Sequence, residues 1–234
     1  MPTTWAIADL HLSFARPDPR ERFAARWRDH AERVAREWRQ VVGRDDLVLL
    51  PGDLSAARNH REVQPDLDWL ARLPGTKVLS AGNHDAWFNT VAKVRPILRR
   101  GILAVGGDAI ETHGVIVCGA KSGGVDDESC LKSLDSAIAA ALTLKPDDRP
   151  IYALWHHPPF DAHRRPGPAA TRFAAAGVSA VVYGHLHIEG QWGTAVQGLV
   201  DGVRYHCVAA DAVGFRPLRV DGLPTGPVGA RMER

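Results

Sequence analysis

Lys77-Val-Leu-Ser-Ala-Gly82-Asn83-His84-Asp85 is the stretch whose reading decides the fold. An apolar, β-prone run ends in a glycine and three polar side chains, so a buried strand runs directly into a turn that carries chemistry. Four other segments share this grammar. Trp5-Ala-Ile-Ala8 precedes Asp9-Leu-His11, and Leu47-Val-Leu-Leu50 precedes Gly52-Asp53. Ile151-Tyr-Ala-Leu-Trp155 precedes His156-His157-Pro158, and Ala180-Val-Val-Tyr183 precedes Gly184-His185-Leu-His187. Metal-type ligands at the ends of five separate strands would converge on one sheet edge, which is where open α/β sheets place their sites.

Helical patterns separate the first strands. Phe23, Trp27, Ala31, Val34, Trp38 and Val41 recur at three and four residues, which predicts one long amphipathic helix over Arg20 to Val42. Leu67, Leu70 and Leu73 predict a second helix from Val63 to Arg72, broken by Pro74-Gly75. Strand alternating with helix marks βαβ units. Beyond Gly101 the spacing shortens, and Ile102–Val105, Ala109–Thr112 and Val115–Gly119 read as a meander. A helix from Glu128 to Leu144 follows, and Thr194–Gln197 with Val203–Ala209 reads as a hairpin around Asp201-Gly202. The expected architecture is an α/β (α+β sandwich) fold: two mixed β-sheets packed face to face with flanking helices. One domain is expected over residues 1–223, with a Gly/Pro-rich tail over 224–234.

Composition narrows the class. A chain of 234 residues with net charge +2 can bury a sizeable core and carries no strong field toward nucleic acid or membrane. Cys118, Cys130 and Cys207 are far apart and show no CxxC spacing, so they read as buried free thiols. No signal peptide precedes Trp5, and no apolar run approaches a membrane span; a cytoplasmic protein is expected.

Carboxylate, imidazole and amide donors without thiolate suit Mn, Fe, Zn or Ni in a hydrolytic centre. Seven candidate ligands are too many for one ion of four to six ligands and suit two ions sharing one ligand. Residues at i and i+2, as in Asp9/His11 and His185/His187, project to the same side of an extended segment. The glycines at 52, 82 and 184 let the chain turn sharply after each strand. A single histidine beside a strand is ordinarily a core or surface residue; five motifs in one order are what carry the chemical reading.

The ordered set resembles the calcineurin-like metallophosphoesterases, from Asp9 to about Ala210. The resemblance implies that Asp9, His11 and His187 hold one of two transition-metal ions. It implies that Asp53 bridges both ions, giving one oxygen to each, and that Asn83, His156 and His185 complete the second. His84 would face the substrate phosphate and serve the leaving oxygen as acid, and Asp85 would orient His84 from behind. A hydroxide bridging the ions would be the nucleophile. By the same resemblance His157 is a rim or supporting residue rather than a ligand.

The implied activity is metal-dependent hydrolysis of phosphate mono- or diesters of a small molecule, such as a nucleotide. A nuclease lacks support, since no basic stripe or aromatic platform is evident. A phosphoprotein phosphatase would need an arginine-bearing signature that Gly52-Asp53-Leu-Ser-Ala lacks, and a non-catalytic interaction module would be expected to lose ligands. Loops at Phe14–Pro19, Lys121–Asp127 and Phe160–Pro168 are expected to form the substrate rim, with Lys121, Arg164 and Arg165 as its cations. Trp87 is expected to wall the cleft. His30, His60, His113 and His206 are expected to be solvated or structural.

Overall fold

The computed structural model describes residues 2–16, 25–123, 127–145, 148–187 and 189–221. Positions 17–19 of the first rim loop, 20–24 of the expected first helix, 124–126 of the second loop and the 224–234 tail lie outside the described residues. The first sheet holds β1 (Thr4–Ala6), β2 (Leu47–Pro51), β3 (Thr76–Ser80), β4 (Ile102–Ala104) and β11 (Leu218–Arg219), in the order β11-β1-β2-β3-β4. The second holds β5 (Asp108–Thr112), β6 (Val115–Gly119), β7 (Ile151–Leu154), β8 (Ala180–Tyr183), β9 (Gly198–Val200) and β10 (Val203–Cys207), in the order β5-β6-β7-β8-β10-β9. Within each sheet four consecutive strands run parallel, and the antiparallel strands sit at the edges. Both sheets are mixed and both are flanked by helices, as expected.

Alternation along the strands explains the packing. Leu47 and Leu49 on β2 and Val78 on β3 meet Val117, Leu154 and Val182 in an apolar layer between the sheets. Val48, Leu50 and Leu79 face the opposite way, toward α1 (His30–Val41) and α2 (Gln64–Ala71), where Trp38, Leu67 and Leu70 cover them. Val181 and Tyr183 pack outward beneath α4 (Glu128–Thr143) and α5 (Pro168–Ala175). Each such aliphatic side chain contributes roughly 1.5–3 kcal/mol when fully buried. Every residue of β2, β7 and β8 is buried, as parallel strands covered on both faces require. Two short helices, α3 (Val91–Val94) and α6 (Glu189–Trp192), and 3-10 turns at Ala25–Trp27 and Arg95–Ile97 complete the described elements.

Several expectations are corrected. The segment 102–119 is no three-stranded meander: β4 runs parallel to β3 in the first sheet, while β5 and β6 form a hairpin in the second. Gly106-Gly107 carries the chain across, Gly107 at φ 81. Thr194–Gln197 is not a strand; Ala195 and Val196 are buried as irregular chain, and β9 begins at Gly198. The turn itself stands as read, with Asp201 and Gly202 both at positive φ, the geometry of a tight two-residue hairpin. The first helix starts at His30, because Asp29 adopts a left-handed conformation after a short 3-10 turn at Ala25–Trp27. Helix α5 had no sequence counterpart, its apolar signal being short and its prolines suggesting loop; Pro168 instead occupies the first helical turn, where no amide donor is needed. Cys118 and Cys207 are buried free thiols whose pKa burial pushes up to about 12, while Cys130 is only half-buried. Among the described residues no helix is long and apolar enough to cross a membrane.

Candidate metal centre

The carboxyl ends of β1, β2 and β3 in the first sheet and of β7 and β8 in the second bring all five motifs to one place. This corrects the expectation of a single sheet edge: the strand ends meet because the two sheets pack face to face. Asp9, His11, Asp53 and His187 each offer a ligand atom within 4.8 Å of the others, and His156, His157 and His185 do the same. Asp53 joins the two groups. Its Oδ2 lies 3.7 Å from His11 Nε2 and 3.4 Å from His156 Nε2, while its Oδ1 accepts the His84 amide at 2.8 Å. A single oxygen thus faces both groups, where the resemblance implied one oxygen for each. Asn83 Oδ1 stands 2.9 Å from His156 Nε2 and 3.1 Å from His185 Nδ1.

The backbone is bent hard to achieve this. Asp9, His11, Asp53 and His185 have φ of 59, 41, 51 and 72, a region that costs L-residues energy and persists where surrounding structure enforces it. Of the three motif glycines, only Gly52 uses positive φ, at 94. Gly82 and Gly184 are needed for room instead: a Cβ on Gly82 would collide with Asp53 Oδ1, and one on Gly184 with Asp9 Oδ2. The His185 amide donates to that same Asp9 carboxylate, at 3.0 Å to Oδ2.

The imidazoles are aimed by groups behind them. His156 Nδ1 donates to the Pro51 carbonyl at 3.0 Å, which leaves Nε2 facing Asp53 and Asn83. His187 Nδ1 donates to Asp211 Oδ1 at 3.1 Å and presents Nε2 to Asp9 Oδ1 at 3.2 Å and to His11 Nε2 at 3.4 Å. Such fixing of tautomer and ring direction is what metal-binding histidines ordinarily need. Burial alone would raise the Asp53 carboxyl, but the hydrogen bond and charge of His156, with His11, hold it well below the usual range. Burial opposes protonation of His156 and His187, yet Asp53 and Asp9 raise the first to about 9, and Asp211 and Asp9 raise the second to about 10. The buried carboxylates of Asp53 and Asp9 thus call for positive charge beside them. Nitrogen and oxygen donors around that charge deficit fit divalent transition metals.

His84 and Asp85 part company. His84 is exposed at the site, its ring 5.8 Å from that of His11. Asp85 does not reach the His84 ring; it is buried and accepts from the amides of Gly82 and Ser55 and from Trp87 Nε1. Burial, then the Asp53 charge, raises its pKa to about 6. Asp85 therefore pins the loop that presents His84, which corrects the expectation of direct contact. Trp87 is corrected too: it is fully buried and holds Asp85, so it walls no cleft.

The three expected rim cations have no hydrogen bond to the metal-type donors among the described residues. Arg165 Nε is bound to Asp161 at 2.7 Å, Arg164 sits on an exposed turn at φ 63, and Lys121 is exposed. Lys121 does precede Ser122, whose hydroxyl meets His157 Nδ1 at 2.9 Å and accepts the His157 amide. The His157 ring stacks on His185 at 4.2 Å, and burial lowers its pKa to about 4. His30 is structural, its ring bonded to the Trp27 and Leu10 carbonyls, which steadies the Asp9-Leu10-His11 segment.

Sequence reasoning missed Asp211, Ser122 and Trp27. Trp27 lies edge-on to both His11 and His187 at 5.6 Å, because the left-handed Asp29 starts the helix after it and takes it off the helix face its spacing suggested. Asp211 had a faint signal, a carboxylate shortly after an apolar strand run at Val203–Cys207, but no adjacent histidine to mark it.

A model of the calcineurin-like phosphoesterase family matches residues 2–189. The chain is 35% identical over 85 residues to the Gene 66 protein of Mycobacterium phage L5 and 34% identical over 85 residues to that of phage D29. These segments cover 36% of this chain and 41% of each phage protein, so the chain spans about two fifths of the length of the curated relatives it matches. A solved phosphopantetheinyl hydrolase from Mycobacterium tuberculosis shares the fold at TM-score 0.51 and 17% identity, covering 89% of both chains.

Proposed function

The chain belongs to the calcineurin-like phosphoesterase family, and from that premise we propose that it is a two-metal phosphohydrolase acting on mono- or diesters of a small phosphorylated molecule. The observation that carries this is the placement of Asp53 Oδ2 between His11 Nε2 and His156 Nε2, with a separate donor group on each side. Asp9, His11 and His187 would hold one ion, Asn83, His156 and His185 the other, and Asp53 both. Divalent ions at these donors supply Lewis acidity, bringing the pKa of water toward 7 and offsetting charge on a phosphoryl group.

The chain's own residues do the rest. Asp211 and the Pro51 carbonyl keep His187 and His156 in the tautomer that offers Nε2. Asp85, after β3, accepts the Ser55 amide of the loop after β2, and Asp66 on α2 accepts the Ser55 hydroxyl, so the donors are held in place before substrate arrives. His84, exposed beside the His11 ring, serves as the acid for the departing oxygen. Net charge +2 and scattered arginines support a small substrate over a nucleic acid strand.

Elemental analysis of protein reconstituted with manganese, nickel, zinc or iron tests the reading. Two equivalents per chain are expected, with both weakened in Asp53→Asn, since a neutral amide bridges two cations poorly. One equivalent or less at saturation overturns the two-ion proposal.

A further inference from the structure

A cavity of about 230 Å³ lies between the loop after β7 and the segment that begins at α6, walled by Pro158, Phe160, Tyr183, Leu186, Gln191 and Val196. We infer that this cavity is a binding site for an uncharged aromatic or heteroaromatic ring, and that it receives the organic part of the phosphoester. The second clause rests on the phosphoesterase reading above; the first does not.

Placement ties the cavity to the metal centre. Pro158 follows His157 directly, and Leu186 is the residue between His185 and His187. Tyr183 precedes the same segment by one glycine. The wall is therefore one peptide away from three imidazoles, and Leu186 turns its side chain from them into the outer apolar cluster. The 185–187 segment is thus shared, with His185 and His187 in the donor groups and Leu186 in the cavity wall. A phosphoester held at the imidazoles and extending across this segment would place its substituent in the cavity.

Chemistry and size define the occupant. Phe160, Tyr183, Leu186 and Val196 are buried and present aromatic and aliphatic surface. The polar groups of the wall are largely spoken for. The Asp161 carboxylate is taken by Arg165 Nε and by the amides of His163 and Arg165. Tyr183 donates its hydroxyl to the Val196 carbonyl, and Thr194 donates to that of Gln191. Asp161, the charged residue of the wall, is therefore already paired and leaves no free charge to meet a charged ligand. The exposed Gln191 carboxamide supplies one donor and one acceptor, the pairing that recognises an amide or purine edge. An apolar cavity of about 150 Å³ is enough for benzene, so this volume takes a substituted or fused ring.

Two substitutions fill it from opposite sides. Gly190 lines the cavity, and a Cβ there would meet nothing within 4 Å. Ala162 lines it from the other loop and is exposed. Gly190→Phe and Ala162→Trp should both fold and load metal as the parent does. Metal-free protein labelled on Leu and Val methyls is titrated with indole and followed by NMR. Saturable shifts at Leu186 and Val196 are expected in the parent and should be lost in both variants. With metal, the ratio of kcat/KM for naphthyl phosphate to that for glycerol phosphate should fall at least tenfold in each. No saturable indole binding, or binding that survives both substitutions, overturns the site. An unchanged ratio overturns its role in substrate selection. If indole binds as stated and neither ester is hydrolysed, the ring site stands and the phosphoesterase reading falls.

Discussion

Replacing Lys77 by methionine should stabilise the protein in a pH-dependent way. Lys77 lies on β3 at 2% exposure, with its Nζ donating to the Leu73 carbonyl. Burial lowers its pKa from the ordinary 10.5 to about 8. At 1.36 kcal/mol per pH unit, that difference amounts to a cost of about 3 kcal/mol for keeping the ammonium charged inside the fold at pH 7. The unfolded chain holds the proton up to 10.5 and the folded chain only up to about 8. Between those values the unfolded state binds more protons, so parent stability rises with pH across that window. Methionine keeps most of the apolar stem and has no charge to desolvate. Urea unfolding at pH 7, 8, 9 and 10 should therefore show Lys77→Met more stable by about 3 kcal/mol at pH 7, with the gap closing as pH approaches 10.5. A gap that stays constant with pH, or a variant less stable at pH 7, would refute the argument that an uncompensated charge is buried there.

Asp211→Ala should weaken metal binding about 10–100-fold at the His187 side, because His187 loses the group that fixes its ring; competition titration with a chelator should find one weak and one near-parental ion, and two unchanged affinities would argue against the assignment. His84→Ala should keep both metals while turnover falls roughly 10²–10⁴-fold, the usual weight of a positioned acid; steady-state kinetics beside elemental analysis separates this from metal loss, which would contradict the role given to His84.

The strand-end motifs were legible because each couples a short apolar run to polar donors within a few residues, and local sequence carries both signals. Strand ends and side-chain chemistry are local properties, so Asp9, His11, Asp53, Asn83, His156, His185 and His187 could all be located by reading along the chain. Their convergence depended on the packing of two sheets, since β1, β2 and β3 deliver Asp9, His11, Asp53 and Asn83 from one and β7 and β8 deliver His156, His185 and His187 from the other. What local sequence could not hold was anything made by distant segments meeting. Asp211 acquires its partner His187 across 24 residues, and Ser122 acquires His157 across 35. The destination of Ile102–Ala104 depends on which sheet has an open edge, and both sheets offered one to a run of that composition. Trp27 kept helical spacing in sequence, yet the left-handed Asp29 sends it to the His11 and His187 rings. Trp87 and Asp85 kept their proximity to His84, yet burial turned them toward each other and away from the cleft. Sequence determined which donor-bearing side chains stand at the ends of which strands. The tertiary structure decided which groups stand behind them, since hydrogen bonds between loops depend on distances that only the packing of two sheets sets.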